Sequence, residues 1–442
     1  MNVTKDKISS IFFQYSIPSV LGMLAISSAN IVDGFFIGNY VGDFGLAAIN
    51  ISFPIFSLLF GFALMLAIGG SVISGKLLGE GNIKNASIIF TKTMISITFF
   101  SFISCTVLFL NIETILHLFG ADENLTKIAI EYLSIMLIFI PFLMIGVVLD
   151  YYVRVDNRPN LAFIALFSSA IINVILDWFM IVYLQKGIFG AALATGISQL
   201  ALIFILLPHF FSKKATLSFV KPMGSYIQII KACYNGASEF VNEISIGIMT
   251  LIFNYVMIKN FAVEGIAAFT VIEYLLFIGI MISFGISDSL QPIISKNFGA
   301  KENKRIEEFL KLAFISTSFV GVVMIVLILF IPDTLANIFL EDTNYKTKEI
   351  VLNFATFVWI IFLFDGFNLV ISAYLTAIHK PLASMIIALS RSFIFPVFFI
   401  FTLPFFFDLN GIFMAIPMAE FITFIIAVIL FRKFSPKKII HL

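Results

Sequence analysis

The sequence is short of charge, cysteine and histidine, and each shortage excludes a class of protein. Only 12% of the 442 residues are charged while 60% are hydrophobic, and a soluble domain of this length could not bury so much apolar surface. Cys105 and Cys233 lie far apart, each in or beside an apolar segment, and form neither a disulfide framework nor a zinc motif. The four histidines do not cluster, so we expect no metal centre beyond a sodium site. A net charge of +1 gives no basic field for nucleic acid.

Long apolar runs are abundant instead. A window of about 19–20 residues, the length that crosses a bilayer as a helix, finds twelve of them, separated by short polar breaks. We therefore predict an all-α integral membrane protein with twelve transmembrane helices and no separate soluble domain. The predicted segments are 11–37, 45–75, 87–110, 127–152, 161–183, 188–210, 226–258, 264–295, 309–331, 350–376, 381–405 and 411–432.

Positive charge is concentrated on one side of this predicted bundle. With the N-terminus placed in the cytoplasm, 21 of the 27 Lys and Arg residues fall in loops and helix ends on the cytoplasmic side and 5 on the outer side, while Arg391 falls within a segment. Such a bias sets the orientation of membrane proteins. It supports twelve helices with both termini in the cytoplasm.

The two halves of the chain resemble each other at offsets of 220 to 224 residues. We predict two pseudo-symmetric six-helix lobes around a central cavity, an arrangement typical of transporters, with an inert duplicated bundle as the alternative. The N-lobe is expected to cover 1–210, a cytoplasmic linker 211–225, and the C-lobe with its tail 226–442. The matches are "GLAAINISFPI" (45–55) with "GIAAFTVIEYL" (265–275), Gly79 with Gly299, Pro159 with Pro381, and "KGIFGA" (186–191) with "NGIFMA" (410–415).

One stretch, "GSVISGKL" at 70–77, has the spacing of a phosphate-binding loop. Leu77 replaces the Ser or Thr that would bind magnesium, and the run ends an apolar helix instead of following a strand. We therefore expect no cofactor and no ATPase subunit. Transport would draw on an ion gradient or on the gradient of the substrate itself.

Ionisable residues inside the predicted helices are the candidates for ion coupling, because a charge in the bilayer is costly and rarely idle. In the N-half these are Asp33 and Asp177; Asn173 shares a helix face with Asp177, and Thr195 adds a hydroxyl. Two carboxylates, an amide and a hydroxyl suit a proton or a sodium ion. The alternatives are an interfacial Asp177 beside Trp178 and an Asp33 at a helix end.

The C-half offers a second set of residues, for coupling or for a substrate cavity. Arg391 is expected to form a neutral pair with one acid, and the unpaired acids would line the cavity and attract a cationic substrate. No role is assigned to Asp150 or Asp288. The candidates are Glu239, Glu243, Glu273, Asp365, Glu420 and Arg391.

The 55 phenylalanines suggest the kind of substrate. Most must face lipid or pack between helices. A cavity lined by Phe and Met with a few acids nonetheless suits small, flat, lipophilic cations, through apolar contact and cation–π attraction.

Three stretches resemble the multidrug and toxic compound extrusion (MATE) transporters, most closely the MepA-like branch of their DinF-type group. They are "IVDGFFIGNYVGDFGLAAINISFPI" (31–55), "GADENLTKIAIEYLSIM" (120–136) and "INVILDWFMIVYLQKGIFGAALATGISQ" (172–199). The likeness covers nearly the whole chain. Trp178 departs from it, since the pattern usually has Pro after the Asp.

The resemblance implies a secondary active multidrug exporter that works by antiport with protons or sodium. It also implies that Asp33, Asn173, Asp177 and Thr195 form the N-lobe cation site. A monomer in the bacterial plasma (inner) membrane, surrounded by lipid, is the corresponding expectation.

Two other functions are weighed against drug export. A lipid-linked precursor flippase of related fold predicts a cavity rich in Arg or Lys, whereas the segments contain one Arg and several acids. A membrane-embedded enzyme predicts a nucleophile–base set or an intramembrane His, and none of the four histidines lies within a helix with a partner. We therefore expect a transporter and not an enzyme.

Overall fold

A computed structural model describes residues 2–332, 334 and 345–439. Within these residues, twelve helices are long and apolar enough to cross a membrane, and each overlaps one predicted segment, so the predicted all-α fold is confirmed. The helices are α1 (Ile8–Tyr40), α2 (Phe44–Gly79), α3 (Ile83–Leu110), α4 (Glu123–Val155), α5 (Pro159–Tyr183), α6 (Gly187–Phe211), α7 (Ile227–Phe261), α8 (Ala267–Gly299), α9 (Asn303–Phe330), α10 (Tyr345–Ala377), α11 (Pro381–Phe407) and α12 (Asn410–Lys433).

Besides the 3₁₀ turn that ends α6 at Leu207–Phe211, three of these helices change their winding. In α5 the α-helix gives way to a π-helical turn at Trp178–Tyr183, in α10 a 3₁₀ turn covers Trp359–Leu363, and in α11 a π-helical turn covers Ser390–Ile394. Such turns interrupt regular backbone hydrogen bonding and are frequent at functional sites. Each of the three turns contains a charged residue that the sequence singled out or lies within two residues of one.

The helices α7 and α8 form a hairpin, although the backbone is helical throughout Ile227–Gly299. A straight helix of 73 residues would be about 110 Å long. Instead, Gly236 lies against the Met65 backbone and Gly299 lies against the Lys76 backbone. Those two α2 residues are only about 17 Å apart along their helix, so the chain reverses between α7 and α8.

Reciprocal contacts relate the second helix of one lobe to the second helix of the other. A Cβ on Gly79 would overlap the carbonyl oxygen of Lys296, and a Cβ on Gly299 would overlap that of Lys76. Each residue of one pair lies 220 positions from its counterpart in the other pair, which is the offset of the sequence repeat. This self-complementary pattern is what a two-fold relation between the lobes produces.

The helix α1 belongs to the cores of both lobes. Its first turns, including Phe12 and Tyr15, are buried in one cluster with Leu290 and Ile294 of the C-lobe. Farther along, α1 packs against α5 of the N-lobe, where Gly22 adjoins the Leu166 side chain. The helix therefore begins in one lobe and ends in the other.

The segment between α6 and α7 is held against the N-lobe by Asp156. The carboxylate of Asp156 accepts hydrogen bonds from the backbone N–H groups of Thr216 (3.0 Å) and Leu217 (3.1 Å) and lies 2.6 Å from Nε2 of His209. The lobe boundaries at residues 210 and 226 remain predictions.

The glycine contacts between α2 and α8 give the first testable prediction. Gly299→Ala places a methyl group against the Lys76 backbone, which cannot rotate away, and we expect it to lower the free energy of unfolding by about 1–3 kcal/mol. Gly34→Ala is the matched control, because a Cβ there meets nothing within 4 Å and alanine favours the helix. Melting temperatures in detergent compare the two. Equal stability of both variants would contradict the tight contact.

Candidate functional site

The N-lobe brings together the four side chains that the sequence selected. Asp33 lies on α1, Asn173 and Asp177 lie one turn apart on α5, and Thr195 lies on α6, with α5 packed against both α1 and α6. Nδ2 of Asn173 donates a hydrogen bond to Oγ1 of Thr195 over 3.4 Å. The carboxyl groups of Asp33 and Asp177 are close enough to interact electrostatically. The four residues therefore form one site.

The structure argues against both alternative interpretations of these carboxylates, an interfacial Asp177 and an Asp33 at a helix end. Asp177 has 0% exposure while the neighbouring Trp178 is 50% exposed, so Asp177 points inward and is no interfacial anchor. The helix α1 continues to Tyr40, seven residues beyond Asp33, so Asp33 does not end a helix. Asp177 is also the last residue before the π-helical turn. The π-helical turn thus begins at Trp178, the position where the MATE pattern usually has Pro.

Tyr132 of α4 is a neighbour of this site that the sequence did not reveal. Its side chain is only 9% exposed, and its hydroxyl interacts electrostatically with both Asp33 and Asp177. Tyr132 lies in the quoted stretch "EYLSIM", but a tyrosine in an apolar helix is ordinary core material and gives no signal by itself.

The buried oxygens of the site fit a bound cation. Within the described part of the chain, neither carboxylate oxygen of Asp177 has a hydrogen-bond partner, and Oδ1 of Asp33 also lacks one. Unpartnered buried carboxylate oxygens are costly, and a proton or a hard cation removes that cost. Carboxylate, amide and hydroxyl oxygens are ligands that such a cation accepts. With Asn173 donating to Thr195 through nitrogen, the Asn173 amide oxygen stays available.

The C-lobe candidates form a different kind of cluster. Nε of Arg391 donates to Oε1 of Glu420 over 2.6 Å, and Nη2 of Arg391 donates to Oδ1 of Asp365. Nδ2 of Asn368 donates to the other Glu420 oxygen over 2.7 Å. The expectation that Arg391 takes one acid is therefore wrong, since its planar guanidinium binds two. The 3₁₀ turn of α10 places Asp365 in the first turn of the following α-helix, where the helix dipole favours a negative charge.

The remaining C-lobe acids do not join this cluster directly. Glu239 interacts electrostatically with Arg391, Asp288 and Glu243. Glu243 packs against Gly61 of the other lobe, and its backbone carbonyl accepts a 3.1 Å hydrogen bond from Ser57. Glu273 is half-buried on α8, about 22 Å along the helix from Asp288. The six candidates thus occupy at least three separate locations.

A small polar cavity of about 30 Å³ lies beside Glu239. It has room for a water molecule or a bare cation but not for a drug-sized ligand. Its polar lining residues include Glu239, Asn242, Asp288, Gln291, Asn368 and Arg391.

A second arginine cluster was missed entirely. Arg154, which the charge count placed at a helix end, is 3% exposed and lies between Asp150 and Asp288, the two acids to which no role was assigned. The four-residue spacing of Asp150 and Arg154 indicates an ion pair on one helix face. Asp288 lies 134 residues from Arg154, and no sequence pattern connects the two. Among the described residues, two arginines, Arg154 and Arg391, are therefore paired with acids between the helices, and the contrast with an Arg-rich flippase cavity is correspondingly weaker.

Fold and site together describe a multi-pass membrane protein built from two copies of one six-helix unit. The MatE family model matches residues 18–179 and 239–402, one match in each half. The chain belongs to the MatE family, whose members are transporters and not enzymes.

Relatives and solved structures agree with this assignment. The multidrug export protein MepA of Staphylococcus haemolyticus is 25% identical over 93% of this chain and 91% of its own length. MepA of Staphylococcus aureus strain MSSA476 is 23% identical over 94% and 92%. An outward-facing MATE transporter of the MOP superfamily superposes with a TM-score of 0.92 at 20% identity, over 99% of this chain and 98% of that one. A MATE complex with MaL6 gives 0.93 at 20% identity over the same shares.

The two kinds of charged site predict opposite effects on stability. Arg391→Met leaves Asp365 and Glu420 buried without their cation, and we expect it to lower the free energy of unfolding by about 3–5 kcal/mol. Asp177→Asn removes a charge that has no hydrogen bond from the described chain, and we expect unchanged or increased stability. Arg432→Met, at an exposed position, controls for loss of an arginine. Melting curves in detergent decide, and a destabilised Asp177→Asn with a stable Arg391→Met would reverse both assignments.

Proposed function

We propose that the protein is a secondary active multidrug efflux transporter, which exports lipophilic, mainly cationic compounds in exchange for protons or sodium ions. The observation that carries the proposal is the pair of N-lobe carboxylates, Asp33 and Asp177. Both oxygens of Asp177 and Oδ1 of Asp33 are buried without a hydrogen-bond partner within the described chain. Membership of the MatE family and similarity to proteins named as multidrug exporters support the same activity.

The protein is proposed to reside in the bacterial plasma membrane with both termini in the cytoplasm. The asymmetric distribution of Lys and Arg supports this orientation. The glycine contacts between α2 and α8 lie at the end of the bundle where both termini lie. We call this end the terminal end. Close packing of the lobes at that end corresponds to a cavity that opens outward.

In the proposed mechanism, a proton or sodium ion from outside binds between Asp33 and Asp177 and neutralises them. Asn173 and Thr195 complete the oxygen set, and Tyr132 adjusts its hydroxyl to the changed charge. Asp33 is carried by α1, which contains Pro18 and is attached to the C-lobe at its other end, so a change at Asp33 is transmitted to both lobes. Movement of α1 then narrows the cavity and releases the drug outward.

The energy available is sufficient for useful export. One elementary charge crossing 100 mV supplies about 2.3 kcal/mol, which corresponds to roughly a fifty-fold gradient of drug per charge moved. No nucleotide and no ATPase subunit enter the scheme.

Transport in proteoliposomes tests the proposal. Ethidium is loaded, a proton or a sodium gradient is imposed, and wild type is compared with Asp33→Asn and Asp177→Asn. Export driven by one ion and reduced at least about tenfold in both variants is expected, because an amide cannot exchange a proton and binds sodium weakly. Asp408→Asn is the matched control, since Asp408 is exposed and its positive φ of 49° tolerates Asn.

The other outcomes have distinct meanings. Gradient-driven export that persists in Asp33→Asn and Asp177→Asn would overturn the N-lobe site and direct attention to Glu239, Glu243 and Asp365. If neither gradient moves ethidium, the cationic drug proposal fails. A fluorescent lipid-linked pyrophosphate then tests the flippase alternative, which the second buried arginine makes worth measuring.

A further inference from the structure

The cluster around Arg154 joins the two lobes through charged side chains. Nη1 of Arg154 lies 2.5 Å from Oδ2 of Asp288, and Nη2 lies 2.7 Å from Oδ2 of Asp150. Nη1 also donates to Oγ of Ser19 on α1 over 3.0 Å. The side chains of Arg154, Asp150 and Asp288 are 3%, 7% and 1% exposed. The ion pairs are therefore shielded from water.

The two carboxylates differ in what they connect. Asp150 lies four residues before Arg154 on the same helix, so this pair persists however the lobes move. Asp288 lies on α8 of the other lobe, so its pair with Arg154 exists only while α4 and α8 are in contact. Separation of the lobes would leave Arg154 neutralised by Asp150 and would release Asp288 alone.

The cluster lies at the terminal end, among other contacts between the lobes. Two turns beyond Asp288 on α8, Nζ of Lys296 donates to Oδ1 of Asn157, two residues past the end of α4, over 2.7 Å. The backbone contact between Gly79 and Lys296 lies at the same level of α8. The ion pair is thus part of the surface that would have to separate for the cavity to open at this end.

Asp288 also connects this surface to the interior. It lines the small polar cavity together with Glu239 and Arg391, and it interacts electrostatically with Glu239. Its second oxygen, Oδ1, has no hydrogen-bond partner within the described chain. When the lobes part, water enters beside this cavity and solvates Asp288. Solvation compensates Asp288 for the loss of Arg154, so this pair breaks at a lower cost than an ion pair that water does not reach.

We propose that Arg154 and Asp288 form the ion pair that closes the terminal end of the pathway, and that this pair breaks and re-forms in each transport cycle. The inference rests on the proposed function, because it assumes a transporter with alternating access. It assigns Arg154 and Asp288 to gating and assigns Asp150 to keeping Arg154 neutralised in the open state.

Distance measurements between spin labels test the gate. Labels are attached at Lys84→Cys and Glu302→Cys, two exposed positions at the terminal end of different lobes, in a chain with Cys105→Ala and Cys233→Ala. We expect mainly short distances with native Asp288, and an increase of about tenfold in the ratio of long to short distances in Asp288→Asn, a change typical of one conformational coupling. Asp288→Glu keeps the charge and should restore the short distances.

Asp150→Asn is the matched control, because it removes a carboxylate from the same guanidinium without touching the contact between the lobes. Because Asp150 is proposed to neutralise Arg154 in the open state, the ratio of long to short distances in Asp150→Asn should not rise above that of the labelled parent chain. If Asp150→Asn and Asp288→Asn open the terminal end equally, or if neither does, the proposal is overturned and the cluster is structural. If Asp288→Asn does not purify as a folded protein, Arg154→Gln replaces it, and unchanged short distances there would equally overturn the proposal.

The distance experiment is separable from the proposed function. It uses neither drug nor ion gradient, so absence of ethidium transport would defeat drug export while leaving the gate measurable. If the distances contradict the gate while gradient-driven ethidium export is normal, only the gate proposal fails and the drug export proposal stands.

Discussion

A charge held inside the hydrocarbon layer must find a partner, and this constraint organises the interior of the protein. Arg391 and Arg154 each bind two carboxylates, and both sets of side chains are largely shielded from water. Hydrophobic burial cannot dictate such arrangements, because it has no direction. The Arg391 cluster connects α11 to α10 and α12, and the Arg154 cluster connects α4 to α8 of the other lobe.

The N-lobe site departs from this pairing, and the departure is what makes it a candidate for ion coupling. Within the described chain, Asp33 and Asp177 lie close to each other and to Tyr132, but neither forms an ion pair with a lysine or an arginine. A permanent cation at that place would fix the charge of the site. Leaving the carboxylates to a mobile proton or ion keeps the charge variable, which a transport cycle requires. The two lobes therefore differ in how their selected carboxylates are balanced: those of the N-lobe have no arginine partner within the described chain, whereas Asp365 and Glu420 share Arg391.

How much the sequence could predict depends on the range of the interaction involved. Apolar runs and helical spacing are local, and they predicted the twelve helices and the joint face of Asn173 and Asp177. Packing between helices decides the other pairings, because the acids that Arg391 binds lie on the two neighbouring helices and Asp288 lies 134 residues from Arg154. Neither the two-acid cluster of Arg391 nor the pairing of Arg154 with Asp288 could be inferred from the sequence. The same limit affected the charge count: Lys92, Arg154 and Lys296, assigned to loops and helix ends, are buried in the protein. The orientation bias survives because it rests on many other residues.

The reciprocal contact between α2 and α8 has a consequence for how the two halves can diverge. Gly79 adjoins the backbone of Lys296, and Gly299 adjoins the backbone of Lys76. A side chain gained at either glycine cannot be accommodated by a change within its own half, because the atom in the way is backbone of the other half. The same constraint holds where Gly69 adjoins the backbone of Ala232 and where Gly236 adjoins the backbone of Met65. At these positions each half of the chain limits which residues the other half can carry.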